Sequence, residues 1–139
     1  MIRFRMFRIN IEQFAILTDS LSQNSVVIET ALGIRHAIAE RKIAVDMTFN
    51  FNAAEKRIML LKLTCEFEIH HDDWDSFKNK DNSVVLSKEI LEYFAAQTVG
   101  TARGVLHCKT EGTPFNAIIL PPMDVTKMIK EDITIDANN

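Results

Sequence analysis

Four consecutive residues, His70, His71, Asp72 and Asp73, bring imidazole and carboxylate groups together in the sequence. Such groups bind metal ions or transfer protons when their side chains converge on one point. Consecutive residues at the end of a strand point to opposite faces instead, so an adjacent pair rarely closes on one ion. The pattern therefore favours a polar turn at a strand end, and we predict no metal ion there.

The remaining histidines lie apart from this cluster. His36 and His107 are each interpreted as a surface or core histidine rather than a catalyst, and the chain contains no G-x-S-x-G, Walker, G-x-G-x-x-G or C-x-x-C motif. The two cysteines, Cys65 and Cys108, fall on an apolar strand face and at a helix end, so we expect buried or reduced thiols. These features predict a cytoplasmic protein that is not an enzyme and needs no cofactor.

Length, composition and charge exclude several classes of protein. The 139 residues, 47% hydrophobic and 25% charged, fit one globular domain. A net charge of −3 does not favour binding to nucleic acid. The charge is uneven, because residues 1–71 carry 9 Lys/Arg and 8 Asp/Glu whereas residues 72–139 carry 7 and 11. The opening MIRFRMFRIN does not resemble a secretory signal, and no window reaches the ~18 apolar residues of a membrane span.

Four stretches alternate apolar and polar residues with the period of a strand: 4–17, 25–39, 43–52 and 57–71. Within the first stretch the alternation changes phase, which predicts a β-bulge or a strand that is apolar on both faces. Residues 52–55 suit a hairpin connection between the third and fourth strands. Together these patterns predict four antiparallel strands with one polar face.

A long helix is expected to follow the strands. Ser87 is a good N-cap residue, and Gly112 with Pro114 ends the helix. About half of its circumference is apolar. The residues in this arc are Ile90, Leu91, Phe94, Ala95, Thr98, Val99, Ala102, Val105 and Leu106.

Asp124 is expected to cap a short amphipathic helix that carries Val125, Met128 and Ile129. The predicted fold class is therefore α+β: a four-stranded antiparallel sheet followed by one long helix and a short C-terminal helix. Residues 1–133 would form the single domain, and residues 134–139 a flexible tail.

Small residues line the opposite side of the long helix. Ala96, Gly100 and Gly104 recur every four residues there, beside Tyr93 and Gln97. Each glycine inside a helix costs ~1 kcal/mol relative to alanine, and close approach of another backbone can offset that cost. We therefore predict that this stripe is an interface between copies of the chain, the alternative being two glycines tolerated for flexibility.

Several aromatic and methionine residues fall outside the periodic core positions: Phe14, Trp74, Phe77, Phe115, Met123 and Met128. Such residues can line an adaptable groove for an extended apolar peptide. They can equally form a small satellite core beneath a loop. The residues alone leave both interpretations open.

The order of these segments resembles the SecB family of export chaperones, over about residues 4–130. The opening FRMFRINIEQF is similar to the first strand of that family. The long helix with TARGVL, its Gly-Thr break and the later ILPPMDVTKMI are similar to the segments that follow the sheet in the family. The resemblance implies a dimer of dimers with the long helices inside, which holds unfolded polypeptide in apolar grooves without ATP.

By position, the resemblance implies a set of groove residues in this chain. They are Phe14, Leu17, Phe115, Pro121, Pro122, Val125, Met128 and Ile129, with Trp74 and Phe77 as additional candidates. The implied partners are unfolded or extended polypeptide clients, and further candidates are a translocase motor or an antitoxin.

The chain also departs from the family pattern. EFEIHHDDW stands where the family has a Gly-Gly stretch, and the last helix carries Lys127 and Lys130 in place of aromatic residues. Family members dock the SecA motor on an acidic sheet face, for which this chain offers Glu29, Glu66 and Glu68. A dedicated chaperone of one client, such as an antitoxin, is therefore as consistent with the sequence as an export chaperone.

Two other functions remain open. A hot-dog-type enzyme or carrier of acyl thioesters also wraps a sheet around a long helix, and its candidate base would be His71, Asp72 or Asp73. In that fold, however, the helix precedes most of the strands. The other alternative is an interaction subunit whose groove holds its own tail or one fixed partner.

Overall fold

The computed structural model describes residues 2–21 and 25–136. It is an α+β fold that contains the expected four-stranded antiparallel sheet and long helix, so the predicted fold class is confirmed. The elements in chain order are β1 (Phe4–Ile16), β2 (Val26–Ala37), β3 (Lys42–Ala53), β4 (Lys56–Ile69), α1 (His71–Asp75), β5 (Val84–Leu86), α2 (Lys88–Lys109) and β6 (Ile133–Ile135). Single 3-10 turns occur at Ile38–Glu40, Pro114–Ala117 and Val125–Lys127.

The strand order in the sheet is β1-β4-β3-β2, which leaves β1 and β2 at the edges. Met6 pairs with Phe67 but Arg8 pairs with Glu66, so Phe7 is an extra residue, and a second register shift lies between Ile11 and Gln13. These irregularities account for the change of phase in the sequence, because each extra residue reverses the alternation. The expected bulge is confirmed.

The β3–β4 hairpin turns at Ala54 and Glu55, within the predicted connection. Both residues have positive φ, 52° and 64°, as a two-residue turn of type I′ requires. Neither residue is the glycine or asparagine that favours this conformation, so the turn stores backbone strain.

Helix α2 covers the two central strands on the apolar face of the sheet. It begins at the expected N-cap, where the Ser87 hydroxyl accepts a hydrogen bond from the Ile90 N–H at 3.3 Å. The Phe94 ring stacks on Phe67 of β4 with centroids 4.4 Å apart. Eight of the nine predicted arc residues are buried and Val105 is half-buried, so the periodicity placed the core face of the helix correctly.

The segment between β4 and α2 is more regular than the polar linker expected at 72–83. His70 Nδ1 accepts the Asp72 N–H at 3.2 Å and caps α1, and Trp74 packs into the core with 3% of its surface exposed. Val84–Leu86 then forms β5. A strand of three residues is too short for its apolar-polar alternation to be recognised in the sequence.

The C-terminal segment also differs from expectation. The short helix capped by Asp124 is one 3-10 turn, with the Asp124 carboxylate accepting the Thr126 N–H at 3.1 Å. The predicted tail begins at 134, yet Ile133–Ile135 forms β6 and pairs with β5. Burial of Ile135 stabilises this pairing. Residues 137–139 of the predicted tail lie outside the described residues.

Candidate functional site

Helix α2 divides the apolar side of the sheet into two flanks. Thr101 Oγ1 lies 3.9 Å from Met6 Sδ of β1. Arg103 contacts the chain that follows the helix, donating to the carbonyl oxygens of Leu120 and Pro121. Residues two apart on a helix are about 200° apart around its axis, so these contacts mark opposite flanks.

The flank beside β2 is covered by the C-terminal strap, defined here as residues 114–132. Met123 Sδ lies 3.9 Å from Thr30 Oγ1 of β2. Near its end the strap reaches the start of the helix, where the Asp132 carboxylate accepts the Lys88 N–H at 2.6 Å. The strap therefore runs back along α2, antiparallel to it.

The residues implied as groove residues differ in accessibility. Phe115, Ile129 and Trp74 are core residues with 2%, 5% and 3% of their surface exposed, so in this conformation they face the interior. The half-buried members are Phe14, Phe77, Val125 and Met128, and the exposed members are Leu17, Pro121 and Pro122. The accessible members on the strap lie at and after the Pro-Pro turn, and with Ile119 just before it they are called the apolar strip.

Phe14 is separated from the strap. Phe14 pairs with Leu61, which pairs with Phe49, which pairs with Thr30, so these four residues form one row across the sheet. Three strand spacings put its ends roughly 14 Å apart. Met123 of the strap contacts the Thr30 end of this row. The implied residues of β1 and of the strap thus lie on opposite flanks of α2 rather than in one narrow groove.

Ile119 belongs to the apolar strip but was absent from the implied set. Its side chain is 62% exposed, while Leu120 beside it is 1% exposed. The alternation of an extended segment explains this contrast, because neighbouring side chains point in opposite directions. The run Ile118-Ile119-Leu120 before Pro121 indicated an extended segment, but it did not indicate which of the three side chains is buried.

The flank beside β1 is open. Ile9 and Ile11 pair with the core residues Cys65 and Leu63 and so share their side of the sheet, yet they are 51% and 39% exposed. A pocket of about 220 Å³ lies where β1 meets the start of α2 and is lined in part by Phe4. This flank is an unpaired sheet edge next to exposed apolar side chains.

The small-residue stripe of α2 is exposed along its length: Tyr93, Ala96, Gln97, Gly100 and Gly104. Among the described residues, a Cβ atom built on Gly100 or Gly104 would meet nothing within 4 Å apart from its chain neighbours and its own helix backbone. The glycines therefore serve no packing within the subunit.

On the polar face of the sheet, two of the glutamates lie beneath arginines, whereas Glu29 is exposed. Glu68 pairs with Arg5 at 3.4 Å and Glu66 with Arg8 at 3.4 Å. The carboxylate side chains are 26% and 25% exposed, against 70% and 66% for the arginines, so the guanidinium groups lie outermost. The part of this face around Glu66 and Glu68 is therefore less acidic at its surface than its glutamates suggest.

The histidine-aspartate cluster forms the start of α1. The His70 and His71 rings stack with centroids 4.3 Å apart, and His71 Nε2 lies 3.1 Å from the Asp72 carboxylate. These three residues could offer metal ligands, since their ligand atoms lie within 4.8 Å of one another. Asp73 instead accepts hydrogen bonds from the Arg3 N–H and Nε, both at 2.9 Å, and these bonds lower the pKa of its carboxyl.

The two cysteines have different environments. Cys65 is buried under α2, and its burial raises the pKa of the thiol, whereas Cys108 is exposed. Both are free thiols. A thiol with a raised pKa carries little thiolate near neutral pH, so Cys65 acts as a core residue.

No family model matches the chain, and no curated protein matches its sequence. Its structure is similar to that of Rv1957, a SecB-like chaperone of Mycobacterium tuberculosis, in complex with a ChAD peptide from the HigA1 antitoxin. The TM-score is 0.51 over 89% of each chain, at 16% sequence identity. The fold is SecB-like. No helix among the described residues combines the length and apolar character needed to cross a bilayer.

Proposed function

We propose that this SecB-like chain is an ATP-independent chaperone that holds unfolded or extended polypeptide along the C-terminal strap. The observation that carries the proposal is the apolar strip of Ile119, Pro121 and Pro122, followed by the half-buried Val125 and Met128. It lies on a fold shared with a chaperone whose structure contains a bound antitoxin peptide.

The physical basis of client capture would be burial of apolar surface. Each Å² removed from water contributes ~25 cal/mol, so a strip of several partly exposed side chains can hold a segment weakly and reversibly. An extended client presents alternate side chains to such a strip. Prolines keep this part of the strap extended, because their rings fix φ and remove backbone donors.

The sheet face supports a dedicated client over an export role. A basic partner surface would have to displace Arg5 and Arg8 from Glu68 and Glu66 before it met the carboxylates. The neighbour's antitoxin peptide supplies a precedent for a single client. We therefore place an antitoxin-like polypeptide ahead of a translocase motor as the partner.

Assembly through α2 is the second part of the proposal. The exposed small-residue stripe and the open β1 flank provide a surface that a second copy could cover, in a homotetramer built as a dimer of dimers. Soluble proteins rarely leave an extended apolar strand edge uncovered, because it favours aggregation. Clients would then bind on the outer side, along the strap.

The acyl-thioester alternative has weaker support. Of its candidate bases His71, Asp72 and Asp73, the last already accepts two hydrogen bonds from Arg3, which lower its pKa and make the carboxylate a poorer base. Helix α2 also follows all four strands of the sheet.

Suppression of aggregation by the purified protein, without nucleotide, tests the proposal. Wild-type protein should keep a chemically unfolded client soluble, and Ile119→Asp should weaken this effect. Val27→Asp is the matched control, since Val27 is 61% exposed but lies on β2 rather than on the strap. Equal aggregation with and without the wild-type protein would contradict the chaperone function.

A further inference from the structure

Arg103 makes the side-chain hydrogen bonds by which α2 holds the Pro-Pro turn of the strap. Its Nε donates to the Leu120 carbonyl oxygen at 2.6 Å, and its Nη2 donates to the Pro121 carbonyl oxygen at 3.1 Å. Two donors from one planar guanidinium fix the position and the direction of the two consecutive peptide units they bind.

Arg103 uses its charge differently from Arg5 and Arg8, which pair with carboxylates of the sheet. None of the ion pairs among the described residues includes Arg103, so its guanidinium is directed at neutral carbonyl groups. Hydrogen bonds with a charged donor are stronger than neutral ones. A surface arginine kept for solubility would have no need of this geometry.

The Pro-Pro turn has few other means of being held. Pro121 and Pro122 lack N–H groups, so the turn cannot pair as a strand through these residues. Leu120 anchors it by burial, and Met123 after it contacts Thr30 of β2, but neither contact sets the direction of the Leu120 and Pro121 carbonyl groups. The two guanidinium hydrogen bonds set this direction on the side facing the helix.

We infer that Arg103 is the positioning residue of the client site, because it fixes the Pro-Pro turn so that Ile119, Pro121 and Pro122 project outward as one apolar ridge. This inference rests on the proposed function. A ridge that is held in place before the client arrives loses less entropy on binding, and therefore binds more tightly, than one that must be ordered. Arg103 would not contact the client.

Two substitutions separate geometry from charge. Arg103→Lys keeps the positive charge but loses the paired N–H donors of the planar guanidinium. Arg103→Met keeps much of the aliphatic part of the side chain but loses both hydrogen bonds. Affinity for reduced carboxymethylated α-lactalbumin, a chain that cannot refold, would be measured by fluorescence anisotropy. We expect a loss of about tenfold for Arg103→Met and a smaller loss for Arg103→Lys. Arg57→Met, which removes an exposed arginine from β4, should leave affinity unchanged.

A double-mutant cycle distinguishes positioning from a general loss of stability. If Arg103 acts through the ridge, Arg103→Met should have little further effect on affinity once Ile119→Asp is present. It should keep its full effect in a Leu17→Asp background, since Leu17 follows β1 and lies off the strap. Additive effects in both backgrounds would overturn the inference.

The free protein gives an independent readout. The heteronuclear NOE of the Ile119 and Leu120 amides reports motion on the ps–ns timescale and should fall in Arg103→Met while that of α2 stays unchanged. An unchanged NOE would overturn the positioning role, as would a lower NOE with unaltered affinity. If the wild-type protein fails to bind the unfolded chain, the proposed function and the client role of Arg103 both fall, and the NOE still shows whether Arg103 holds the turn.

Discussion

Arg35 on the edge strand β2 donates two hydrogen bonds to the carboxylate of Asp46 on β3, from Nε at 2.7 Å and from Nη2 at 2.9 Å. Asp46 pairs with Gly33, and Arg35 lies two residues further along β2 on the same face, so the two charged side chains meet diagonally. Thr64 of β4 donates to the same carboxylate at 2.5 Å. Asp46 therefore links three strands on the polar face of the sheet.

This link predicts a dependence of stability on pH. The bond from Arg35, with that from Thr64, lowers the pKa of the Asp46 carboxyl below its ordinary value. A group with a lowered folded-state pKa contributes stability above its unfolded pKa of about 3.9, and loses it as the pH falls through the folded pKa. We expect Asp46→Asn to lower the free energy of unfolding by about 1 kcal/mol at pH 7. In this variant the free energy of unfolding should also fall less steeply as the pH becomes acidic.

Urea unfolding at a series of pH values from neutral to strongly acidic would measure this effect. Asp19→Asn, in the loop after β1, is the matched control and should keep the wild-type profile. An acid-dependent fall in the free energy of unfolding that is unchanged in Asp46→Asn would show that the link contributes nothing to folding.

The β3–β4 turn predicts a stabilising substitution. Ala54 and Glu55 occupy the left-handed region, which costs non-glycine residues roughly 1–2 kcal/mol each, whereas Asn-Gly is favoured there. The double substitution Ala54→Asn with Glu55→Gly should therefore raise the free energy of unfolding by about 1–2 kcal/mol. The urea midpoint should rise with an unchanged m-value. Ala54→Val, with a branched side chain at positive φ, should lower the midpoint. A midpoint that is higher in Ala54→Val than in the Asn-Gly variant would contradict the backbone strain assigned to this turn.

Periodic segments were predictable from the sequence because periodicity records burial directly. The arc of α2 and the alternation of β3 and β4 specify which side chains face the core, and the phase change in β1 indicated its bulges. The short pairing of β5 with β6 has no such signal, since it joins two three-residue segments about fifty residues apart. The strand Ile133–Ile135 was consequently placed partly in the tail.

The candidate site was less predictable than the fold. Sequence position implied that Phe14 and the strap share one groove, whereas α2 lies between them. The burial of Trp74, Phe115 and Ile129 depends on which segments fold over them, which local pattern does not record. Ile119 was missed because an exposed isoleucine in a short run looks the same in sequence as a buried one.

The bond between Asp132 and Lys88 predicts that the strap stabilises the start of α2. The Asp132 carboxylate accepts the Lys88 N–H, one of the donors that a helix leaves unpaired at its N-terminus, and its negative charge suits the helix dipole. Asp132→Ala should lower the free energy of unfolding by about 1 kcal/mol, and salt should screen part of the difference. Asp136→Ala, an exposed aspartate just after β6, is the control. Equal stability of the two variants would show that the strap ends without supporting the helix.

The small-residue stripe predicts that assembly can be removed without unfolding the subunit. Gly100 and Gly104 have open space around them, so a leucine at either position fits the subunit and improves helix propensity by ~0.8 kcal/mol each. If another copy covers the stripe, the same side chains must collide with it. Gly100→Leu with Gly104→Leu should therefore lower the mass in solution from a tetramer of 15.9 kDa chains while the melting temperature of the subunit is kept or raised.

Light scattering on a sizing column measures this mass directly. Ala31→Leu, which adds the same bulk at an exposed residue of β2, should leave the assembly intact. A second pair of variants, Ile9→Lys and Ile11→Lys, tests whether the open β1 flank belongs to the same interface, because a charge buried against another copy costs far more than one in water. If the glycine variants keep the wild-type mass, the stripe is not an interface between copies.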